Sequence, residues 1–295
     1  MFRGAYTALV TPLHHDRLDE PAISRLAEQQ IAAGIHGLVP CGTTGEASTL
    51  TTAEHLRVVE LTIQAAAGRV PVLAGAASNN TRHAIELARA CKQLGAAGTL
   101  QVTPYYNKPT QAGLVAHFTA IAEASELPVV LYNVPGRTGV DLLPETVATL
   151  ARHPLIVGIK EATGDMTRLA RLRELLNGDD RFDLLSGDDF TLLPFLALGG
   201  HGVISVTSNV APRWLAHLCD AARNNQWDEA RTWHYRQLPL CRALFGQPNP
   251  IPVKAAMALL GRCHPDMRLP LLAIDPQSHE GQALADALQS LGLTP

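Results

Sequence analysis

The sequence is short of several features, and each shortage excludes a class of protein. Lysine and arginine together number 24 against 27 acidic residues, so there is no cationic excess to bind the phosphates of a nucleic acid. The five cysteines contain no CxxC pair, which argues against both a disulfide framework and a zinc knuckle. No apolar stretch approaches the roughly 18 residues of a membrane span, and no cleavage site follows the short N-terminal apolar run. We therefore expect a globular cytoplasmic protein.

Lysine is scarce in this chain. There are 20 arginines and only four lysines, which are Lys92, Lys108, Lys160 and Lys254. The two cations differ chemically, because a lysine amine can lose its charge when it is buried whereas a guanidinium stays charged. Each of the four lysines can therefore be examined as a candidate for amine chemistry.

Short β-rich apolar runs recur at intervals of roughly thirty residues, with amphipathic segments of helical length between them. Eight runs occur, at residues 5–10, 37–42, 70–75, 98–103, 129–133, 155–160, 182–187 and 202–207. Eight strand–helix units predict a closed (β/α)8 TIM barrel. An open doubly wound sheet is the alternative, and the lack of a GxGxxG motif after the first run disfavours it.

The C-terminal part of the chain carries no strand pattern. Three segments there have the length and periodicity of helices, at residues 227–246, 252–261 and 279–292. We expect residues 1–224 to form the barrel and residues 225–295 to form a C-terminal helical subdomain packed on it.

Lys160 is the lysine in the most informative position. It closes the apolar run LIVGIK, and reactive groups of barrels gather at the C-terminal ends of strands. Burial there disfavours the charged ammonium, and a neutral amine can form an imine with a ketone or an aldehyde. Tyr132 ends the neighbouring strand, so its phenol can move protons at a Lys160 adduct. The alternatives are a lysine that extends to solvent or pairs with Glu161, and a tyrosine that only covers the core.

Other strand-end loops carry polar groups that each allow two interpretations. Thr43 and Thr44 lie in a GTTG turn that can bind a small carboxylate or can simply cap a helix. Arg137 lies in PGRTG, where it can pair with a substrate carboxylate or face solvent. Tyr105 and Tyr106 are adjacent and are also compatible with a packing pair.

The adjacent Asp188 and Asp189 raise the question of a metal site. No histidine accompanies them at metal-ligand spacing, and the twelve histidines contain no HExxH motif. We therefore expect these aspartates to provide an N-cap for the following helix, and we expect no bound metal.

Seven motifs occur in an order and a spacing that point to one family. They are GTTGE (42–46), TPYYN (103–107), YNVPGRTG (132–139), GIKEATGD (158–165), LSGDD (185–189), GGHGVISVTSN (199–209) and PNPIPVK (248–254). Almost the whole chain resembles the bacterial dihydrodipicolinate synthase family. The resemblance implies a (β/α)8 barrel that condenses pyruvate with L-aspartate-4-semialdehyde in the diaminopimelate route to lysine. It also implies that no cofactor is needed and that the enzyme is a homotetramer built from tight dimers.

The resemblance further implies the roles of eight residues. Lys160 matches the lysine that forms the pyruvate imine, and Tyr132 matches the tyrosine that relays protons to it. Thr43 and Tyr106 match the other members of that relay, in which the tyrosine reaches the active site of the neighbouring subunit. The remaining four match substrate-binding positions: Thr44 for the pyruvate carboxylate, Arg137 for the semialdehyde carboxylate, and Gly187 and Ile204 for the pyruvate pocket.

One departure concerns the dimer-interface site where many family members bind lysine as a feedback inhibitor. Three residues fit that site, namely His55, Asn79 and Tyr105. Three others depart from it, because Ala47, Thr52 and His83 stand where serine, histidine and glutamate are typical. Without the glutamate, a ligand ammonium loses a carboxylate partner. We therefore predict weak or absent inhibition by lysine.

Two competing functions stay open. Another pyruvate-dependent aldolase, such as N-acetylneuraminate lyase or a keto-deoxy sugar-acid aldolase, would share the barrel, the lysine and the tyrosine. Arg137 favours a small carboxylated aldehyde over a polyol chain. The second alternative is a catalytically silent barrel that only binds small molecules, and the complete set of Lys160, Tyr132, Thr43 and Tyr106 argues against it.

Overall fold

The chain folds around a ring of parallel strands. The computed structural model describes residues 1–294. Its strands are β1 (Gly4–Ala8), β2 (Leu13–His14), β3 (Arg17–Leu18), β4 (Gly37–Val39), β5 (Leu73–Gly75), β6 (Gly98–Val102), β7 (Val129–Asn133), β8 (Ile156–Glu161), β9 (Asp183–Ser186) and β10 (Gly202–Ser205). β2 and β3 form a short antiparallel hairpin, and the other eight strands form one sheet.

The eight-stranded sheet closes on itself. The order of the strands around the ring follows the chain, and β10 lies beside β1. Between β4 and β5 a bridge from Leu38 to Val72 completes the ring, and the Leu38 N–H donates to the carbonyl of Pro71 at 3.1 Å. The predicted (β/α)8 TIM barrel is confirmed. The run predicted at 37–42 is a strand only as far as Val39, because the chain then turns into the GTTG loop.

Helices surround the barrel and follow it at the C-terminus. The helices are α1 (Glu20–Ala32), α2 (Thr52–Ala66), α3 (Thr81–Leu94), α4 (Gln111–Ser125), α5 (Pro135–Thr138), α6 (Pro144–Leu150), α7 (Met166–Leu175), α8 (Leu192–Ala197), α9 (Pro212–Arg223), α10 (Trp227–Leu244), α11 (Ile251–Leu259) and α12 (His279–Ser290). Local sequence sets their ends. A capping box of Thr51 and Glu54 begins α2, and Gly95, at φ 95°, ends α3. Among residues 1–294, none of the helices is both long and apolar enough to cross a membrane.

The C-terminal helices share a core with the barrel. Leu240 of α10, Val253 of α11 and Leu284 of α12 belong to the same buried cluster as Leu38 of β4 and Val203 of β10. Burial of such side chains stabilises the fold by about 1.5–3 kcal/mol each. The helices predicted near residues 227–246, 252–261 and 279–292 are present, and they pack on the barrel.

A second apolar cluster fills the inside of the barrel. It draws side chains from seven of the eight barrel strands, among them Tyr6, Leu100, Tyr132 and Ile204. Side chains from strands all around a closed sheet can meet only in its centre. The polar loops that follow the strands therefore stand at the mouth of a filled barrel, where a substrate can reach them.

Candidate active site

Lys160 and Tyr132 lie side by side at the C-terminal end of the barrel. Lys160 is near the end of β8 and is paired in register with Tyr132 of β7. The two residues are only 6% and 7% exposed, and Lys160 Nζ lies 4.1 Å from the centroid of the Tyr132 ring. The fold therefore brings together the amine and the phenol that imine chemistry requires.

Lys160 neither extends into solvent nor pairs with the adjacent carboxylate. Glu161 instead accepts a hydrogen bond from Asn133 Nδ2 at 3.1 Å and forms an ion pair with Arg168 at 3.1 Å. None of the lysine ion pairs within residues 1–294 involves Lys160. The amine of Lys160 is thus not committed to a carboxylate, and both alternatives considered for this residue are wrong.

Gly187 provides the space that the Lys160 side chain occupies. A Cβ atom at position 187 would lie 2.5 Å from the Ala162 Cβ and 3.0 Å from the Lys160 Cε, so a larger residue would displace the lysine. The Gly187 N–H donates to the Glu161 carbonyl at 2.7 Å, so a ligand would have to use the Gly187 carbonyl. Ile204 is buried in the same interior cluster as Tyr132. Both predicted pocket residues therefore lie around the lysine and tyrosine.

A cavity of about 560 Å³ opens beside Tyr132. Its walls come mainly from the loops after β4, β5, β6 and β7 and from two C-terminal segments, at residues 248–250 and 270–271. This volume is typical of a site for small metabolites. Of the predicted site residues, those that line the cavity are Thr43, Ala47, Thr52, His55, His83, Tyr105, Tyr132 and Arg137.

Asn249 connects two predicted carboxylate-binding residues that lie in different loops. Its side-chain amide donates to Thr44 Oγ1 at 3.0 Å, and its backbone carbonyl accepts from Arg137 Nη2 at 3.0 Å. Because the Thr44 hydroxyl accepts this bond, its own proton is available to a ligand. Sequence reasoning missed the role of Asn249. The motif PNPIPVK contains it, but nothing there indicates contact with a residue 205 positions away.

Tyr106 is not part of the site within one chain. Tyr106 is 89% exposed and Tyr105 is 41% exposed, so the two do not form a buried packing pair. Tyr106 has a φ of 75°, a left-handed conformation that bulky residues rarely adopt, and its N–H donates to the Thr138 carbonyl at 3.3 Å. Its phenol is therefore presented at the surface of the chain.

Comparison with known proteins decides which family this geometry belongs to. The model of the dihydrodipicolinate synthetase family matches residues 1–290. The chain belongs to this family. The 4-hydroxy-tetrahydrodipicolinate synthase of Pelobacter propionicus is 51% identical over 293 residues, which cover 99% of this chain and 100% of that protein. The resemblance inferred from the seven motifs is confirmed.

Solved structures of dihydrodipicolinate synthases have the same fold over their whole length. The chloride-inhibited enzyme from Acinetobacter baumannii, complexed with pyruvate, superimposes with a TM-score of 0.96 at 45% identity, covering 99% of this chain and 100% of that one. The enzyme from Cyanidioschyzon merolae with lysine bound has a TM-score of 0.94 at 42% identity, covering 99% of each chain.

The residues assigned to the family's lysine site are brought together. Five of the six line the cavity, and the sixth, Asn79, donates from its Nδ2 to the Tyr105 carbonyl at 3.2 Å. His55 is buried, and its Nε2 lies 2.7 Å from the Gly75 carbonyl. Burial lowers the pKa of His55, the hydrogen bond to the Gly75 carbonyl opposes that shift, and nearby His83 adds to it.

A buried ion pair links the cavity to a C-terminal helix. Glu46, in the GTTGE motif, lines the cavity, and its Oε1 lies 2.5 Å from Lys254 Nζ in α11. Both side chains are fully buried, and burial lowers the pKa of Lys254 while the Glu46 charge opposes that shift. The pair holds the loop after β4 against α11. The predicted helix at residues 252–261 contains Lys254, but nothing in the sequence identifies Glu46 as its partner.

The prediction that Asp188 and Asp189 cap the following helix is wrong. α8 begins after Thr191, which makes no side-chain capping hydrogen bond. Asp189 is buried and instead accepts from the N–H groups of Val206 at 3.0 Å and Thr207 at 2.8 Å. It therefore caps a 3-10 turn at residues 207–209, after β10, which closure of the barrel places beside it.

Proposed function

We propose that this chain is a lyase that condenses pyruvate with L-aspartate-4-semialdehyde to form 4-hydroxy-tetrahydrodipicolinate. The observation that carries the proposal is the buried amine of Lys160, 4.1 Å from the centroid of the Tyr132 ring, at the C-terminal end of the barrel. Family membership and relatives of that name at about half identity support the same conclusion. We also propose that the enzyme acts in the cytoplasm, in the route to diaminopimelate and lysine.

The reaction begins with an imine. Lys160 Nζ attacks the ketone carbon of pyruvate, and the carbinolamine that forms loses water to give the imine. Tyr132 supplies and removes the protons at the carbinolamine oxygen, and then takes a proton from the pyruvate methyl group to give an enamine. The enamine carbon attacks the aldehyde carbon of the second substrate. The amino group of that substrate then attacks the imine carbon, which closes the ring and releases Lys160 as the free amine.

The residues around Lys160 and the cavity bind the two carboxylates. Thr44 is proposed to hold the pyruvate carboxylate through its hydroxyl, which Asn249 orients. Arg137 lies on the exposed side of the cavity, where its guanidinium can pair with the carboxylate of the semialdehyde. Gly187 and Ile204 are proposed to complete the pyruvate pocket around Lys160.

The proton relay is proposed to be completed by a second copy of the chain. Thr43 lines the cavity beside Tyr132, whereas Tyr106 is 89% exposed. A tyrosine held in a left-handed backbone conformation at the surface can reach the cavity of a neighbouring copy. We propose a tight dimer as the active unit, and a homotetramer of two such dimers as the assembly.

A different pyruvate-dependent aldolase is the second candidate, and the loop after β7 argues against it. Arg137 is tied to Asn249 and faces the cavity with a cation. A guanidinium at that position suits a short carboxylated aldehyde better than the uncharged polyol chain of a sugar-acid substrate. The relatives named above carry the synthase name, which favours the same choice.

Reductive trapping tests the proposed chemistry directly. The protein is incubated with pyruvate and borohydride, digested and analysed by peptide mass mapping. We expect a carboxyethyl group on Lys160 and none on Lys254, which is buried against Glu46. Absence of the adduct on Lys160 would overturn the mechanism. Turnover of pyruvate with aspartate semialdehyde is then compared with cleavage of N-acetylneuraminate, and a preference for the sugar acid would overturn the substrate assignment.

From the residues at the family's lysine site, we predict that lysine inhibits this enzyme weakly or not at all. The test is a steady-state assay with added lysine, together with a His83→Glu variant that restores a carboxylate at that position. We expect the variant to be the more sensitive of the two. A submillimolar inhibition constant for the unmodified enzyme would contradict the prediction.

A further inference from the structure

We propose that His14, His15 and Asp266 form a binding site for a divalent transition-metal ion such as Zn²⁺, separate from the cavity that contains Tyr132. One ligand atom of each residue, two imidazole nitrogens and a carboxylate oxygen, lies within 4.8 Å of the others. His14 and His15 are exposed and Asp266 is half-buried, so an ion can enter from solvent. None of the three lines the cavity beside Tyr132.

The β2–β3 hairpin presents the two histidines. His15 and Asp16 form its turn, with φ values of 48° and 62°, which is the conformation of a tight two-residue hairpin turn. Asp266 belongs to the segment between α11 and α12. The His15 N–H donates to Asp266 Oδ2 at 2.7 Å, so the backbone already fixes the carboxylate next to the turn.

His264 orients one of the proposed ligands. Its ring stacks on the His14 ring with centroids 3.8 Å apart and an interplanar angle of 22°. The rings of His14 and His15 are 3.9 Å apart. Metal-binding histidines depend on neighbours that hold the ring in place, and stacking from His264 provides such support for His14.

The chemistry of these ligands selects the class of ion. Two imidazoles and one carboxylate suit Zn²⁺ and its neighbours in the first transition series, whereas Mg²⁺ and Ca²⁺ favour sites made of oxygen ligands. Zn–N bonds of about 2.0–2.1 Å place tetrahedral ligand atoms roughly 3.3 Å apart, so the side chains need only a small closure. Water would complete the coordination, since the two histidines are exposed.

The charge around the cluster is also compatible with a cation. No ion pair within residues 1–294 involves Asp266, so its negative charge is not already neutralised. The nearby Asp16 carboxylate is paired with Arg268 at 2.7 Å. Two cations oppose binding: Arg17 faces His14 across the hairpin, and Lys254 is close enough to Asp266 for their charges to interact. We therefore expect binding in the micromolar range rather than tighter.

A bound ion would join two parts of the chain that are far apart in sequence. The hairpin follows β1, whereas Asp266 and His264 follow α11, about 250 residues later. The same C-terminal segment contains Arg268, which binds both Asp16 and Glu54 at the start of α2. Because an ion that binds only the folded chain stabilises it, saturating Zn²⁺ should raise the melting temperature by roughly 5 °C.

The experiment is a titration of the full, metal-free chain with Zn²⁺ by calorimetry, repeated with Co²⁺ and followed by its visible absorption. We expect one ion per chain. His15→Asn removes an imidazole but keeps a residue that tolerates the turn, and Asp266→Asn keeps an acceptor for the His15 N–H. Each variant should weaken Zn²⁺ binding by much more than tenfold, and at the Zn²⁺ and Co²⁺ concentrations that saturate the unmodified chain it should lose most of the melting shift and of the Co²⁺ spectrum.

Two control variants define the site further. His279→Asn removes an exposed histidine elsewhere and should leave Zn²⁺ affinity unchanged. His264→Phe keeps a ring for stacking on His14 and should retain the one-to-one stoichiometry, with an affinity within about tenfold. Binding that is absent at millimolar Zn²⁺, or that survives both His15→Asn and Asp266→Asn unchanged, would overturn the proposal. Lys160→Ala should still bind Zn²⁺, which separates this proposal from the proposed catalytic function.

Discussion

Lys160 and Lys254 are both buried, and they differ in what faces the amine. Lys160 Nζ lies 4.1 Å from the Tyr132 ring centroid and takes part in no ion pair within residues 1–294. Lys254 Nζ lies 2.5 Å from Glu46 Oε1, in a pair with no solvent exposure. Each lysine stands in one of the seven family motifs, so the motifs alone do not distinguish their roles.

The contrast separates a chemical role from a structural one. The Lys254 amine is held in an ion pair with a buried carboxylate and cannot approach a ketone, whereas the Lys160 amine has no carboxylate partner among the described residues and lies beside the Tyr132 ring. Removing Lys254 leaves the Glu46 carboxylate buried without its cation, which destabilises the fold. Removing Lys160 leaves no such carboxylate, because Lys160 has no ion pair among the described residues. We therefore expect substitution of Lys160 to affect catalysis and substitution of Lys254 to affect folding.

Substitution of the proposed nucleophile should have the greatest effect on the reaction. Lys160→Ala removes the only atom of the protein that is proposed to form a covalent bond with pyruvate, and we expect the steady-state rate to fall at least about 10³-fold. Borohydride trapping should be lost with it. The melting temperature provides the control and should change little. A variant that keeps a tenth of the activity would show that Lys160 does not form the imine.

Lys254→Met should have its main effect on stability. It leaves Glu46 buried without its cationic partner, and we expect the free energy of unfolding to fall by about 3–5 kcal/mol. Urea denaturation measures this, and Lys160→Met is the matched control with a much smaller expected loss. Adding Glu46→Gln to Lys254→Met should recover part of the stability. Equal destabilisation by the two lysine variants would mean that the buried pair is not what distinguishes these lysines.

Tyr132→Phe tests the phenol without disturbing the packing around Lys160. The ring that Lys160 contacts is kept and only the hydroxyl is lost, so we expect kcat to fall about 10²-fold. Slow trapping of pyruvate on Lys160 should persist, since the amine is intact. An unchanged kcat would remove Tyr132 from the proton relay.

The pH dependence of stability tests the ion pair of Arg268 with Glu54, which lies next to the Lys254–Glu46 pair. The Arg268 N–H donates to Glu46 Oε2 at 3.4 Å, and the Arg268 guanidinium binds Glu54 at 2.6 Å. That contact lowers the pKa of Glu54 from 4.5 to about 2. Because the pKa is depressed by folding, ionised Glu54 stabilises the fold above pH 4.5, and this contribution is lost as pH falls from about 4.5 to about 2.

Glu54→Gln is the variant that isolates this contribution. At neutral pH it should lower the free energy of unfolding by about 1–2 kcal/mol, after allowance for the partial exposure of the pair. Its stability should then decline less steeply than that of the unmodified protein between pH 4.5 and 2. Denaturant unfolding at a series of pH values measures the difference, and parallel pH curves would contradict the assigned pKa.

Structural features that depend on residues close together in the sequence were predictable. A strand that is buried on both faces has a continuous apolar sequence, and eight such runs predicted the barrel. Because barrel strands end on a common face, the position of Lys160 at the end of one run also placed it near Tyr132 at the end of another. Helix ends at Thr51 and Gly95 follow from local capping chemistry.

Contacts across the barrel were not predictable in this way. Asn249 meets Thr44, and Asp189 meets Thr207, through loops whose approach depends on how the ring closes. The sequence shows only that Asp188 and Asp189 precede a helix, and this position suggested that they cap it. Spacing along the chain likewise cannot reveal that His15 and Asp266, 251 residues apart, lie next to each other.

The sequence by itself determined the barrel, the helical C-terminus and the candidate nucleophile, because hydrophobic periodicity and strand-end position are local properties. Only the tertiary structure decided which buried lysine is left without a carboxylate, since Glu161 is held by Arg168 and Glu46 reaches Lys254 across 208 residues. The physical reason is that ion pairs and hydrogen bonds form between groups that lie close in space, whatever their separation in the sequence. The closure of the barrel brings those partners together.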